Sequence, residues 1–138
     1  MDIILCDYLY DEDEVLTLYK SVGWKNYIHD PVMLKNAYQH SLYIMSAYVG
    51  EKLAGIVRAV GDGYSIIYIQ DLIVHPDYQK KGIGTALINA IFEKYRNVYQ
   101  IVLLSDEDNV GFYEKIGFKK ASDMDCCTFI KQRESECV

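Results

Sequence analysis

An apolar strand, Ile66-Ile67-Tyr68-Ile69-Gln70-Asp71-Leu72-Ile73-Val74, precedes the loop Gln79-Lys80-Lys81-Gly82-Ile83-Gly84, which opens an amphipathic helix. This order brings unpaired N–H groups and the positive end of a helix dipole to one place, and the glycines let backbone approach a ligand closely. It predicts a site for an anion, a phosphate-bearing cofactor being the natural guest. Ile83, Leu87, Ile91 and Tyr95 share one face of the helix, with Ala86 and Ala90 beside them, and 99–104 reads as a short buried strand. Strand 64–74, helix and strand 99–104 therefore form a right-handed parallel unit.

The remaining pattern surrounds this unit. Val15, Leu16, Leu18, Tyr19 and Val22 recur at helical spacing behind the acidic turn Asp11 to Glu14, with Gly23 as the stop. Asp30-Pro31 opens a second helix whose stripe is Leu34, Ala37 and Tyr38, and 23–27 between them reads as an aromatic loop. Segments 42–49, 53–60 and 64–74, joined by short glycine turns, make an antiparallel meander; 1–7 reads as a first strand, 109–116 as a short helix and 126–131 as a last strand. The expectation is an α/β (α+β) fold in a single domain over 1–138. Its mixed central sheet has about six to seven strands and about four flanking helices, with a ligand cleft where strand direction switches.

A chain of 138 residues with 51% hydrophobic and 25% charged residues is ordinary for one globular domain, and no stretch is long and apolar enough to span a bilayer. The acidic start lacks a basic leader, which predicts a cytoplasmic protein without membrane partners. A net charge of −6 argues against a nucleic-acid surface. Cys6, Cys126, Cys127 and Cys137 show neither metal-ligand nor disulfide spacing, so they are read as structural or incidental, with no metal site.

The glycine loop lacks the third glycine of a dinucleotide fingerprint, Leu87 holding that place, and the lysine and hydroxyl of a P-loop. Gln79-x-x-Gly82-x-Gly84, after a strand and His75-Pro76, resembles the acetyl-coenzyme A signature of the GCN5-related N-acetyltransferase superfamily (GNAT fold). Asn109-Val110-Gly111-Phe112-Tyr113-Glu114-Lys115-Ile116-Gly117-Phe118 resembles that family's second recurrent block, with Gly111 where alanine is frequent. The resemblance implies an acyltransferase that moves an acetyl group from acetyl-coenzyme A to a primary amine by direct attack in a ternary complex. The N–H groups of Lys80, Lys81, Gly82, Ile83, Gly84 and Thr85 would cradle the pyrophosphate beside Gln79. Leu72, Ile73 and Val74 would pair with the pantetheine arm as an added strand does, Val74 N–H receiving the thioester oxygen. Asn109 and Phe112 belong to the cofactor side, and Tyr113 matches the tyrosine proposed to protonate the departing thiolate.

An alkylamine of pKa about 10.4 is protonated at neutral pH, and capturing its neutral form costs about 4–5 kcal/mol. The resemblance puts Tyr68 and Gln70 at the positions of the family's bases. Neither is a strong base, so a water relay touching both is expected. By strand alternation Asp71 points to the opposite face unless a bulge intervenes. The resemblance implies that the loop after helix one and the neighbouring strands cover the acetyl end of the cofactor, which makes Trp24, Tyr27 and the aromatic residues of strand 42–49 candidates to wall the acceptor pocket, suiting a small cationic amine. The chain is expected to be a monomer or homodimer. A peptide amine acetyltransferase and a non-catalytic acyl-coenzyme A-binding regulatory domain stand as alternatives.

Overall fold

The computed structural model describes residues 2–133, in two compact units that divide between Leu103 and Leu104. Cys137 lies outside the described residues.

The first unit is a five-stranded sheet in chain order: β1 (Ile3–Asp7), β2 (Tyr43–Val49), β3 (Lys52–Gly61), β4 (Ile66–Val74) and β5 (Gln100–Leu103). Each neighbouring pair from β1 to β4 is antiparallel, and β5 joins β4 in parallel. Its helices are α1 (Glu12–Ser21), α2 (Lys25–Ile28), α3 (Pro31–Gln39) and α4 (Ile83–Lys94). The second unit holds α5 (Val110–Lys115) between the 3-10 turns Glu107–Asn109 and Ala121–Met124.

Local chemistry explains most boundaries. The Asp11 carboxylate accepts from Glu14 N–H and the Asp30 carboxylate from Met33 N–H, each at 3.1 Å, so α1 and α3 start where orphan amides find an acceptor. Their apolar stripes, Val15, Leu18 and Tyr19 on α1 and Leu34 and Tyr38 on α3, form one buried cluster with Leu53, Ile56 and Ile73 of the sheet. α4 packs against β2, β3 and β4 with Ile83, Leu87, Ile88 and Ile91 buried. Gly55 marks the side α4 covers: a Cβ there would lie 2.9 Å from Ile83 and 3.2 Å from Leu87.

Two register shifts decide which residues meet. Ala47 pairs with Gly55 but Tyr48 with Leu53, so Ala54 is extra; Arg58 pairs with Asp71 but Ala59 with Ile69, so Gln70 is extra. Each bulge reverses the alternation. The first puts Leu53 and Ile56 in one cluster although they stand three apart. The second turns Asp71 and Ile73 toward α1 and α3, with Tyr68, paired to Val60, on that same side. The simple alternation that set Asp71 opposite Tyr68 is thus corrected.

Three other expectations change. Among the described residues the sheet has five strands, below the expected six to seven. Segment 126–131 forms no strand: alternation supplies no ladder, and Phe129 is 92% exposed. The aromatic loop after Gly23 instead contains the single-turn α2, which has no side-chain cap and is held by packing of Tyr27 on Tyr19, ring centroids 5.2 Å apart. Cys6, Cys126 and Cys127 are exposed free thiols.

Candidate active site

β4 is nine residues long, but β5 pairs only with Ile66–Ile69. Among the described residues, the β5-side edge from Gln70 to Val74 therefore carries no neighbouring strand. A backbone edge left open in this way accepts an extended ligand as an added strand. Leu72 and Val74 are half-buried, while the Ile73 side chain belongs to the core, which leaves its backbone for such pairing. Gln79 Nε2 donates to the Val74 carbonyl at 3.0 Å, so this side chain reaches back to the open strand end.

From that end the chain passes through the 3-10 turn Pro76–Tyr78 into Gln79 to Gly82, all exposed, and then into α4. Lys80 at φ 62° and Gly82 at φ 86° are both left-handed. These turns bring the loop backbone to the positive end of a three-turn helix, whose first N–H groups have no partner within the helix. Left-handed geometry at a non-glycine residue is strained by about 1–2 kcal/mol, so Lys80 is held there by its surroundings. A Cβ at Gly82 would meet nothing within 4 Å. Glycine is required there for its φ and not to avoid a clash within the chain. Ile83 is buried under the sheet, whereas Gly84 and Thr85 are half-buried on the first turn of α4.

Around the bulge lies a polar cluster that the sequence reading did not assemble. Asp71 and Arg58 are 1% and 4% exposed. Asp71 Oδ2 accepts from Arg58 Nε and from the Tyr19 hydroxyl, each at 2.7 Å, while the Tyr38 hydroxyl meets that of Tyr19 at 2.8 Å. Arg58 Nη1 also donates to Ser41 Oγ at 3.3 Å. Asp71 Oδ1 is buried without a hydrogen-bond partner among the described residues. The signal for the pair was present: one arginine and one aspartate inside adjacent, mostly apolar strands.

Tyr27 and Gln70 meet at the edge of this cluster, Gln70 Nε2 donating to the Tyr27 hydroxyl at 3.1 Å. Trp24 packs edge-on to Tyr19 at 5.9 Å. Burial and the Asp71 charge raise the pKa of both Tyr27 and Tyr68, so these phenols stay protonated at neutral pH and are donors, not bases. The aromatic residues of β2 serve packing: Tyr43 lies against Tyr95, and Tyr48 donates to Glu14.

In the second unit, Tyr113 is gripped by the rings of Phe112 and Phe118, centroids 5.0 and 5.8 Å away. Burial, then the Asp106 charge, raises its pKa, so the hydroxyl keeps its proton through neutral pH. Asn109 is exposed at the N-cap of α5 and makes no side-chain capping bond. Gly111 is exposed within α5, and an added Cβ would meet nothing within 4 Å. Gly111→Ala is expected to gain about 0.5–1 kcal/mol of local stability, read as slower amide exchange in α5; unchanged exchange would contradict this.

A family model for acetyltransferases of the GNAT family matches residues 6–118. The chain belongs to the GNAT family. A GNAT-family acetyltransferase from Streptococcus pneumoniae is 38% identical, with a TM-score of 0.86, over 97% of this chain and 100% of that one. An uncharacterized N-acetyltransferase, ycf52, of Pyropia yezoensis is 33% identical over 80% of this chain and 66% of its own length. The glucosamine 6-phosphate N-acetyltransferase of Schizosaccharomyces pombe is 39% identical over 39% of this chain and 50% of its own. The chain thus spans about two thirds or less of the curated relatives it matches. For a GNAT protein the open β4 edge and the left-handed loop fit an acyl-coenzyme A: one offers strand-like pairing, the other a cradle of N–H donors. Among the described residues, no group of three or more His, Cys, Asp or Glu side chains could hold a metal.

Proposed function

We propose that the chain is an acetyl-coenzyme A-dependent N-acetyltransferase acting on the primary amine of a small molecule. The observation that carries this reading is the continuity of the open β4 edge, Gln70 to Val74, with the anion cradle at Lys80 to Thr85. The family match runs from residue 6 to 118. Acetyl-coenzyme A, when bound, supplies an acetyl group activated as a thioester.

The chain's own residues do the rest. Lys80 to Thr85 hold phosphate through backbone N–H groups, and Lys80 and Lys81 add positive charge. Leu72 to Val74 present backbone groups to the pantetheine arm, and Asn109 and Phe112 complete the cofactor side. Gln70 and Tyr68 orient water that carries off the amine proton, and Tyr27 and Trp24 wall the acceptor. Tyr113 donates a hydrogen bond to the leaving thiolate, whose conjugate acid, with pKa about 8.5, needs only modest help.

The test is acetyl-coenzyme A-dependent acetylation, followed as thiol release, over alkylamines, polyamines, amino sugars and peptides. Amino sugar phosphates enter first because of the glucosamine 6-phosphate relative. Thiol release that no amine accelerates would sink the reading. Tyr113→Phe should lower turnover about 10–100-fold, at or below the floor of the general-acid range of about 10²–10⁴-fold, while acetyl-coenzyme A affinity stays the same. An unchanged turnover at saturating amine, with chemistry limiting, returns Tyr113 to a packing role.

A further inference from the structure

The Asp71–Arg58 pair has no task in the scheme above, and stability alone does not account for it. Replacing a buried ion pair with apolar residues of similar volume is often neutral or stabilising. This pair is also incompletely satisfied, because among the described residues Asp71 Oδ1 has no donor while Oδ2 takes two. Such a group calls for an explanation beyond packing.

Its contacts lead in one direction. Asp71 Oδ2 fixes the Tyr19 hydroxyl and the Arg58 guanidinium, and the Tyr19 ring in turn supports both Tyr27, at 5.2 Å, and Trp24, at 5.9 Å. Asp71 and Arg58 also act on the Tyr27 hydroxyl with opposite sign, the first raising its pKa and the second lowering it. Tyr27 accepts from Gln70, the bulge residue next to Asp71 in the chain and the first residue of the open β4 edge. Gln70 Nε2 is committed to Tyr27, so the acceptor end of the amide is Oε1. A carbonyl oxygen held beside a phenol and an aromatic wall suits the N–H of an incoming amine.

We propose that Asp71, Arg58 and Tyr19 are positioning residues that hold Tyr27 and Gln70 as the acceptor-facing pair of the transfer site. Asp71 works through Tyr19 and Arg58 and touches no substrate. The inference rests on the amine acetyltransferase reading.

The experiment compares wild type, Tyr19→Phe, Asp71→Asn, Gln70→Ala and the double variant Tyr19→Phe/Gln70→Ala. The acceptor is whichever amine from the panel above wild type acetylates, and acetyl-coenzyme A binding is followed by thermal shift. Tyr19→Phe deletes one hydroxyl and leaves the ion pair, so it carries the test even where Asp71→Asn fails to fold. Expected is a rise of about 3–10-fold in the KM of the amine for Tyr19→Phe, as for one lost hydrogen bond, and a larger one for Asp71→Asn. The acetyl-coenzyme A shift should match wild type, and the double variant should be no worse than Gln70→Ala alone. A lower melting temperature with unchanged amine KM, or additive effects in the double variant, overturns the proposal and leaves the enzyme reading standing. A wild type inert toward every amine yet stabilised by acetyl-coenzyme A overturns the enzyme reading, and the positioning role with it.

Discussion

Arg58→Ala is expected to cost about 3–5 kcal/mol of folding stability, the effect of removing one partner of a buried ion pair. The residual state explains the size. Asp71, 1% exposed, would keep only the Tyr19 hydroxyl as a donor, with a cavity where the guanidinium lay. Burial pulls the Arg58 pKa down, but Asp71 overrides this and raises it, so the guanidinium keeps its charge. A domain with a total of about 5–15 kcal/mol would lose much of its margin, and Tm should fall by roughly 10–20 °C. The double variant Arg58→Met/Asp71→Leu should recover most of that loss, since neither charge is then stranded. Urea unfolding of the three proteins decides it. A loss below about 1 kcal/mol for Arg58→Ala would mean that water or relaxation reaches Asp71 as easily as in an exposed pair.

The same pair shows where sequence reading reached its limit. Helix starts at Asp11 and Asp30, the strand before the glycine loop and the parallel crossover were legible because each depends on neighbours in the chain. Register is different. Whether Gln70 is an ordinary strand residue or a bulge depends on which β3 residue faces Ile69 and which faces Asp71, and nothing within 66–74 encodes that. The face assignment of Asp71 therefore failed for a tertiary reason. So did the aromatic loop, where Tyr27 packing on Tyr19 adds a helical turn that propensity does not announce. Segment 126–131 failed the other way: its alternation was sound, but a strand exists only with a partner.

The bulge also divides β4 by task. Before it, Ile66–Ile69 are tied to β5; after it, the edge is open toward the glycine loop. Gln70 stands at the border, exposed while both its chain neighbours are buried. One extra residue therefore sets three things together: where the added strand can begin, which way Asp71 points, and how Gln70 reaches Tyr27.

The glycine loop supplies the other large expected effect. Acetyl-coenzyme A at one hundred times its dissociation constant should add about 2.7 kcal/mol to wild-type stability, and Gly82→Glu should abolish the gain. The structure separates the two reasons a substitution could act there. Gly82 sits at φ 86°, so any side chain incurs left-handed strain of about 1–2 kcal/mol, yet a Cβ meets no atom within 4 Å. Gly82→Ala should therefore lower the ligand-free melting temperature and keep most of the ligand-induced rise. Gly82→Glu should lower the first and lose the second, because its carboxylate stands at the mouth of α4, where the N–H groups and helix dipole favour an anion from outside. Thermal unfolding of the three proteins with and without acetyl-coenzyme A reads both quantities. Equal ligand-induced rises in wild type and Gly82→Glu would move the phosphates away from this loop. Loss of the rise in Gly82→Ala as well would show that the left-handed backbone, more than the charge, makes the cradle.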